Sequence, residues 1–517
     1  MKFWLLLSFF PTTWADCGQP PISIKLGNIT VPNNQVVRGL DISVGTPHQS
    51  FAFLPQWPLN NTFVYGANGF CGTGSASACI TYRGGQYDQF ASESRGVPSP
   101  NSYPPENDPY PDFNWITDSL TLNSNITLSD FPIGIALEDW GAQGYHPQAA
   151  IGLGLNSTIL NTLRSNDKIS SRTWGMFWGR AGGSKNAQLD GNLVLGGYDR
   201  AKVVGQNHTE TLAKFTSPCS TSMIVTITDI VLNFANGTDE SLFNEGSTSM
   251  AACIEPDSPV LLTLPYDPYF INFKSLTSTS DFGRSFGIYY YAMTYKEGTQ
   301  KYTGDLSIQL STGLSIRIPN DQFVVPDLTI DNDTGSLIAN STEMVLALNS
   351  LQAGNSDDMP ILGRQFLSSA YVMLNHEARK FTLWTANPTL TEDLVAVDST
   401  NSAVETCPST GAKSPTPQPP APADTPSGSM TLSIKAIVGI AVGASVGIIS
   451  FAIIAWIIVR RRRLSQKYQN TGHSTEQMYQ PQAGKFIDPG PHEIYEPFPT
   501  AKVLPVELSA TPRLPFK

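Results

Sequence analysis

Between residues 16 and 395 the chain alternates short apolar runs with Gly, Asn, Asp, Ser and Pro. Ser119-Leu120-Thr121-Leu122, Met223 to Leu232 and Leu306-Ser307-Ile308-Gln309-Leu310 are typical. Such runs have strand length, and their alternation sets one face on a core and the other toward solvent. Helical periodicity is scarce. Thr158 to Arg164 and Glu343 to Leu351 are the segments expected to form short helices. The pattern predicts an all-β protein with many strands.

Both ends break this pattern. Met1-Lys2, the apolar run Phe3 to Phe10 and Thr13-Trp14-Ala15 read as a signal peptide over residues 1–15. Ala436 to Val459 is a run of 24 residues without a charge, between Lys435 and Arg460-Arg461-Arg462-Arg463. A hydrocarbon core of ~30 Å needs ~20 helical residues, so this run is expected to span a membrane with the arginines inside. Gly439, Gly443 and Gly447 form a stripe of small residues on one face of that helix. Residues 406–432 are rich in Pro, Ser, Thr and Ala and read as an extended stalk. Residues 460–517 read as a disordered cytoplasmic tail carrying Tyr468, Tyr479 and Tyr495, a docking segment for a cytoplasmic partner. The layout predicts a single-pass type I protein of the plasma membrane or another secretory-pathway membrane, with its ectodomain extracellular or lumenal.

Two further patterns agree with that compartment. Asn-x-Ser/Thr acceptors occur at Asn28, Asn60, Asn125, Asn156, Asn207, Asn236, Asn332 and Asn340, all before residue 345. Six cysteines (Cys17, Cys71, Cys79, Cys219, Cys253 and Cys407) allow up to three disulfides, and Cys71 with Cys79 closes a short loop. No Cys-x-x-Cys or Cys/His zinc spacing occurs, so neither a metal nor a cofactor is expected. A net charge of -11 with 15% charged residues argues against nucleic-acid binding.

Several motifs, in order, resemble pepsin-like aspartic proteases. Gly45-Thr46-Pro47-His48-Gln49-Ser50-Phe51 is similar to the family's opening Gly-Thr-Pro-x-Gln-x-Phe. Ala149-Ala150-Ile151-Gly152-Leu153-Gly154-Leu155 resembles the strand behind the first active-site loop. Ile159 to Leu163 and Trp174 to Trp178 are similar to the helix and strand that follow. Gly191-Asn192-Leu193-Val194-Leu195-Gly196-Gly197-Tyr198-Asp199 resembles the connection into the second lobe. Pro360-Ile361-Leu362-Gly363-Arg364-Gln365-Phe366-Leu367, with Tyr371 to Asn375, resembles the closing hairpin. The resemblance covers roughly residues 38–390. It implies a bilobal ectodomain over 16–405, with lobes of about 16–200 and 201–395 and a cleft between them. In that family each lobe supplies one Asp-Thr-Gly loop, and two facing carboxylates share one proton. Membrane-anchored fungal proteins of this layout are the nearest resemblance.

The chemistry does not follow the fold. Counted from Gly45, the first catalytic position holds Gln56, followed by Trp57 and Pro58. Glutamine is neither acid nor base, and the bulk and fixed φ that follow replace Thr and Gly. At the second site, Glu255-Pro256-Asp257-Ser258-Pro259 stands before Val260-Leu261-Leu262-Thr263. One register puts Pro256 at the catalytic position. Deleting one residue puts Asp257 there, the preferred reading because Asp-Ser is a variant of the family's Asp-Thr. Ile80-Thr81-Tyr82-Arg83-Gly84-Gly85 imitates the family's flap, but the flap belongs near residues 97–115. That stretch is Pro-rich, with Tyr103 and Tyr110 as its tyrosines, so a regular hairpin is not expected. Only ~30 residues separate Ala15 from Gly45, leaving no room for the family's basic propeptide.

Losing one member of a catalytic unit typically costs ~10⁴–10⁶-fold in rate. The six histidines, at positions 48, 146, 208, 376, 473 and 492, supply no nucleophile motif of another class. The main expectation is a membrane-anchored pseudoprotease that binds a peptide or glycan, with cleft candidates Gln56, Trp57, Asp257, Ser258 and Tyr103. The alternatives are an atypical aspartic endopeptidase pairing Asp257 with a second carboxylate such as Glu255, and a structural or adhesion ectodomain.

Overall fold

The computed structural model describes residues 17–407, apart from 58, 68–70, 72–76, 100, 107–112, 138–146, 184–186, 215–217, 244–248 and 280. The expected signal peptide, stalk, membrane span and tail lie outside the described residues, as do Pro58, Tyr110, His146, His473 and His492. Among the described residues no helix is long and apolar enough to cross a membrane.

Strands dominate. The expected strands appear as Phe113–Asn123, Ile224–Asn233 and Asp305–Leu310. The helix expected at Thr158 runs over Thr158–Ser165, with Ser157 Oγ accepting from Leu160 N. The second expected helix is corrected. Apart from Ala347, residues 343–351 belong to the strands Leu337–Leu346 and Leu348–Leu351. The first pairs with Val324–Ile330 and the second with Leu262–Pro265, and these sheet partners override a helix-favouring composition.

A 12-stranded sheet runs through the first half of the domain and gathers the ends of the second. Ile22–Thr30 pairs with Gly191–Leu195, which pairs with Thr173–Phe177. Thr173–Phe177 pairs in turn with Ala370–Asn375, from the far end of the chain. The second half also carries an 8-stranded sheet and a 4-stranded sheet, the latter holding Val324–Ile330 and Leu337–Leu346. One buried cluster joins the apolar faces, from Leu40, Phe53 and Ile151 to Ile227, Leu262 and Leu346.

Each half contains a crossed strand pair. In the first, Gln49–Gln56 and Thr62–Tyr65 both flank the short strand Ala150–Gly152, one parallel to it and one antiparallel. In the second, Met250–Ile254 and Leu262–Pro265 flank Ile361–Leu362 in the same senses. The first central strand ends in Gly152, and Gly363 directly follows the second. A Cβ on Gly152 would press into the Asn60-Asn61 backbone, and one on Gly363 into Ser258 and Val260, at under 3 Å. Only glycine lets the loop backbone come so close.

Three disulfides close the domain. Cys71–Cys79 is the expected pair; Cys219–Cys253 and Cys17–Cys407 join it. The last ties the two ends of the described region, next to a bridge between Gly18 and Thr406.

Candidate functional site

The crossed strands define equivalent positions in the two halves. In the first, Leu54, Pro55 and Gln56 face Ala150, Ile151 and Gly152. In the second, Cys253 and Ile254 face Ile361 and Leu362. Matching the two central strands at their glycines sets Pro55 against Ile254, and therefore Gln56 against Glu255. Glu255 N continues the ladder by donating to Leu362 O at 2.9 Å. On the outgoing side, Phe63 faces Ala150 while Leu262 faces Leu362, so the second loop is one residue longer and the count returns to Pro256. Asp257 and Ser258 stand further along the loop.

The first loop is closed and uncharged. Gln56 is buried, and its backbone carbonyl accepts from Leu153 N at 3.1 Å. Trp57 is 2% exposed and leans on Trp174 with ring centroids 4.6 Å apart. Its indole Nε1 has no hydrogen-bond partner. The Trp57 ring fills the core beside this loop.

A residue that sequence reasoning missed seals this loop. The Glu106 carboxylate accepts from the backbone N–H groups of Asn60 (3.0 Å) and Asn61 (2.7 Å) and from Asn61 Nδ2 (2.7 Å). Asn61 Nδ2 also donates to Pro104 O at 2.8 Å. The Pro-rich stretch thus folds onto the loop instead of forming a hairpin over it; among the described residues from 96 to 106 the only ladder contact is a bridge from Gly96 to Thr117. Burial raises the pKa of Glu106 although these hydrogen bonds pull the other way. No local pattern in Pro104-Pro105-Glu106 signals this role. Tyr103 stacks on Trp115 at 3.8 Å and 15°. The imitation flap begins in the helix Ser77–Tyr82 and leaves it at Arg83-Gly84-Gly85.

The second loop keeps its charge. Glu255 accepts from Ser220 Oγ at 2.8 Å, and burial raises its pKa. Asp257 is partly exposed as a residue, but its Oδ1 is enclosed and has no hydrogen-bond partner. Burial first, and the nearby Glu255 charge second, push its carboxyl up to about 7, against the opposing pull of Arg364. Arg364 braces the backbone: its Nη2 donates to Asp257 O (2.6 Å) and its Nε to Ser258 O (3.3 Å).

Beside this loop lies a cavity of about 660 Å³ walled by both halves, with Arg38, Gln148 and Trp178 on one side and Pro259, Tyr289 and Arg364 on the other. Gln56 and Asp257 are not among its wall residues. A smaller cavity of about 260 Å³ lies against Trp57, Pro105 and His376. His376 is buried against Leu153 O at 2.8 Å, and burial pushes its pKa down to about 4. His48 bonds Ser43 and His208 bonds Thr312 O, both apart from these cavities. Among the described residues no group of three or more His, Cys, Asp or Glu could hold a metal ion.

The glycosylation acceptors divide. Asn28, Asn125, Asn156, Asn207, Asn236 and Asn332 are exposed, and Asn340 is half-buried. Asn60 is buried; its Oδ1 accepts from Asn156 N and its Nδ2 reaches Glu106, so the fold occupies this side chain.

No protein-family model matches the chain, and no curated protein is similar enough to count as a relative. Among solved structures the chain is similar to the crystal structure of an aspartic proteinase from Irpex lacteus, at 16% identity, over 72% of this chain and 100% of that one, with a TM-score of 0.45.

Proposed function

We propose that this protein is a pepsin-fold pseudoprotease. It is anchored by Ala436 to Val459 in the plasma membrane or another secretory-pathway membrane, and it uses its two-lobed ectodomain to bind a peptide or glycan. The observation that carries this reading is the pair of equivalent loop positions. One holds Gln56 and the other Glu255 on the incoming side, so a single ionisable group stands where the mechanism needs two. A shared proton needs two carboxylates, one to accept from water and one to donate to the scissile carbonyl. Trp57 and Glu106 also fill the first loop. The tail, on this reading, docks a cytoplasmic partner.

One observation favours an atypical aspartic endopeptidase instead. Glu255 and Asp257 act on each other electrostatically, as a proton-sharing pair must. Both, however, lie on one loop two residues apart, whereas the family sets one carboxylate on each side of the substrate.

The test is a cleavage assay on the purified ectodomain over roughly pH 3 to 7 with a mixed peptide library, beside Asp257→Asn and Glu255→Gln. The expected result is no cleavage above background in any of the three. Cleavage by the unmodified protein that either variant abolishes would overturn the pseudoprotease reading in favour of the enzyme.

A further inference from the structure

The larger cavity has an unusual charge inventory. Arg38 and Arg364 come from opposite halves of the domain and flank one ring. Their guanidinium carbons lie 5.6 and 5.2 Å from the centroid of Trp178. Neither arginine is ion-paired among the described residues. Arg38 spends Nη2 on the carbonyls of Trp178 (2.7 Å) and Leu189 (3.0 Å), and its buried Nε has no partner. Arg364 spends Nη2 and Nε on the carbonyls of Asp257 and Ser258. On both, Nη1 makes no hydrogen bond among the described residues.

Nearby acids act on them only through space: Asp190 raises the pKa of Arg38 and Arg364 lowers that of Asp257, with no direct ion pair. Asp190 is paired with Lys25 at 3.1 Å, and Asp327 accepts from Ser285 Oγ at 2.7 Å. Asp257 touches Arg364 through its backbone carbonyl, not its carboxylate. A half-buried Arg38 and a buried Arg364, neither in a direct ion pair, are costly in a protein interior. Burial pushes Arg38 down to about 10. The rest of the wall is mixed: Val37, Ile288, Val325 and Leu328 give it an apolar part, and Gln148, Gln188 and Gln365 a polar one. The volume suits a short segment of chain or a small ligand.

We infer that this cavity is a receptor site for an acidic, partly apolar peptide segment, whose Asp or Glu carboxylate is held between Arg38 and Arg364 while neighbouring side chains lie on the apolar wall. Arginine's forked donors match a carboxylate, and the apolar lining favours one acid among apolar neighbours over a polyanion. The inference rests on the reading of the ectodomain as a binding module and gives that module's ligand a charge.

The test uses the full-length protein in detergent micelles and fluorescent hexapeptide pools, acetylated and amidated so that a fixed central Glu is the only acid. Matched pools carry Gln at that position. Glu pools should bind at least about tenfold more tightly than Gln pools. That preference should shrink as salt rises from about 50 to about 500 mM. Arg38→Gln should abolish the preference, and Arg38→Lys should keep part of it. An unchanged melting temperature shows that the variants fold, and Tyr289→Phe serves as a milder change to the same wall.

Equal binding of Glu and Gln pools, or a Glu preference that survives in folded Arg38→Gln, would overturn the proposal. So would octanoate competing better than any Glu pool, since the ligand would then be a free apolar acid. Cleavage of the pools, which chromatography of the same samples reveals, would instead sink the pseudoprotease reading.

Discussion

The loop after Gln56 and the loop after Glu255 leave the same crossed frame, each pressed against a glycine that its backbone nearly touches. Their interiors differ. The first is filled by the Trp57 ring and sealed by Glu106 on its backbone N–H groups. The second holds two carboxyls with raised pKa values and is braced by Arg364. One frame therefore tolerates two solutions: an apolar plug, which supports packing, and a buried charge cluster, which costs stability when ionised. A pair of catalytic loops must meet symmetrically; on the proposed reading these two are free of that constraint, and their interiors are packed differently.

The largest test of this contrast is Trp57→Ala. If the ring is core, its loss should cost about 3–5 kcal/mol by urea unfolding, as buried Trp truncations do. The matching change on the second loop, Ser258→Ala, should stay within about 0.5 kcal/mol, because Ser258 works through its backbone carbonyl. Similar costs at both positions would erase the distinction between plug and charge cluster.

Asp257→Asn comes next, and its sign depends on pH. The native carboxyl holds its proton up to about 7, against an ordinary value of 3.8. The folded state thus binds more protons than the unfolded state between these limits. The stability this group contributes is full below about pH 4 and is lost as pH rises toward 7. At pH 8 the variant should be more stable than the unmodified protein by about 2–4 kcal/mol, and near pH 3.5 the difference should vanish. Melting curves at the two pH values read this directly, and an equal difference at both would refute the buried-charge account.

Glu106→Gln ranks third. An amide offers one acceptor oxygen where the carboxylate offers two, and it turns N–H groups toward the N–H groups of Asn60 and Asn61. The expected loss is about 1–2 kcal/mol at pH 7, read by urea unfolding. Glu106→Gln should also speed proteolysis near residues 96–106, since that stretch is held down through this side chain.

Much of the frame is legible in the sequence because it rests on local rules. Alternation predicts the strands, and Ile151-Gly152 and Ile361-Leu362-Gly363 each pair an apolar strand end with the one residue type that fits beneath a loop. The substitutions at Gln56 and Trp57 can be read as well. What cannot be read depends on contacts between distant residues. Glu106 reaches back 45 residues to Asn61, and Arg38 and Arg364 meet over one tryptophan only after both halves have folded. The apolar run 343–351 has a composition that suits a helix, and only its neighbours make it strand. Gapless counting puts Pro256 at the second site and a one-residue deletion puts Asp257 there, the preferred reading, while strand pairing sets Glu255 and Pro256 against Gln56, because the longer loop shifts the count between its two ends.

The smallest expected effect lies at Tyr103, in the stretch where a flap tyrosine would stand. A flap tyrosine acts through its hydroxyl, over a cleft. Here the ring lies flat on Trp115, beside the Phe63 and Phe113 cluster of the first half. The stacked face is what the fold uses. Tyr103→Phe keeps that face and should leave stability unchanged within about 0.5 kcal/mol, with peptide binding also unchanged. Tyr103→Ala removes it and should cost about 0.5–1.5 kcal/mol. A loss of ligand binding in Tyr103→Phe at full stability would place the hydroxyl in a working cleft, and the first half of the domain would then take part in binding despite its packed loop.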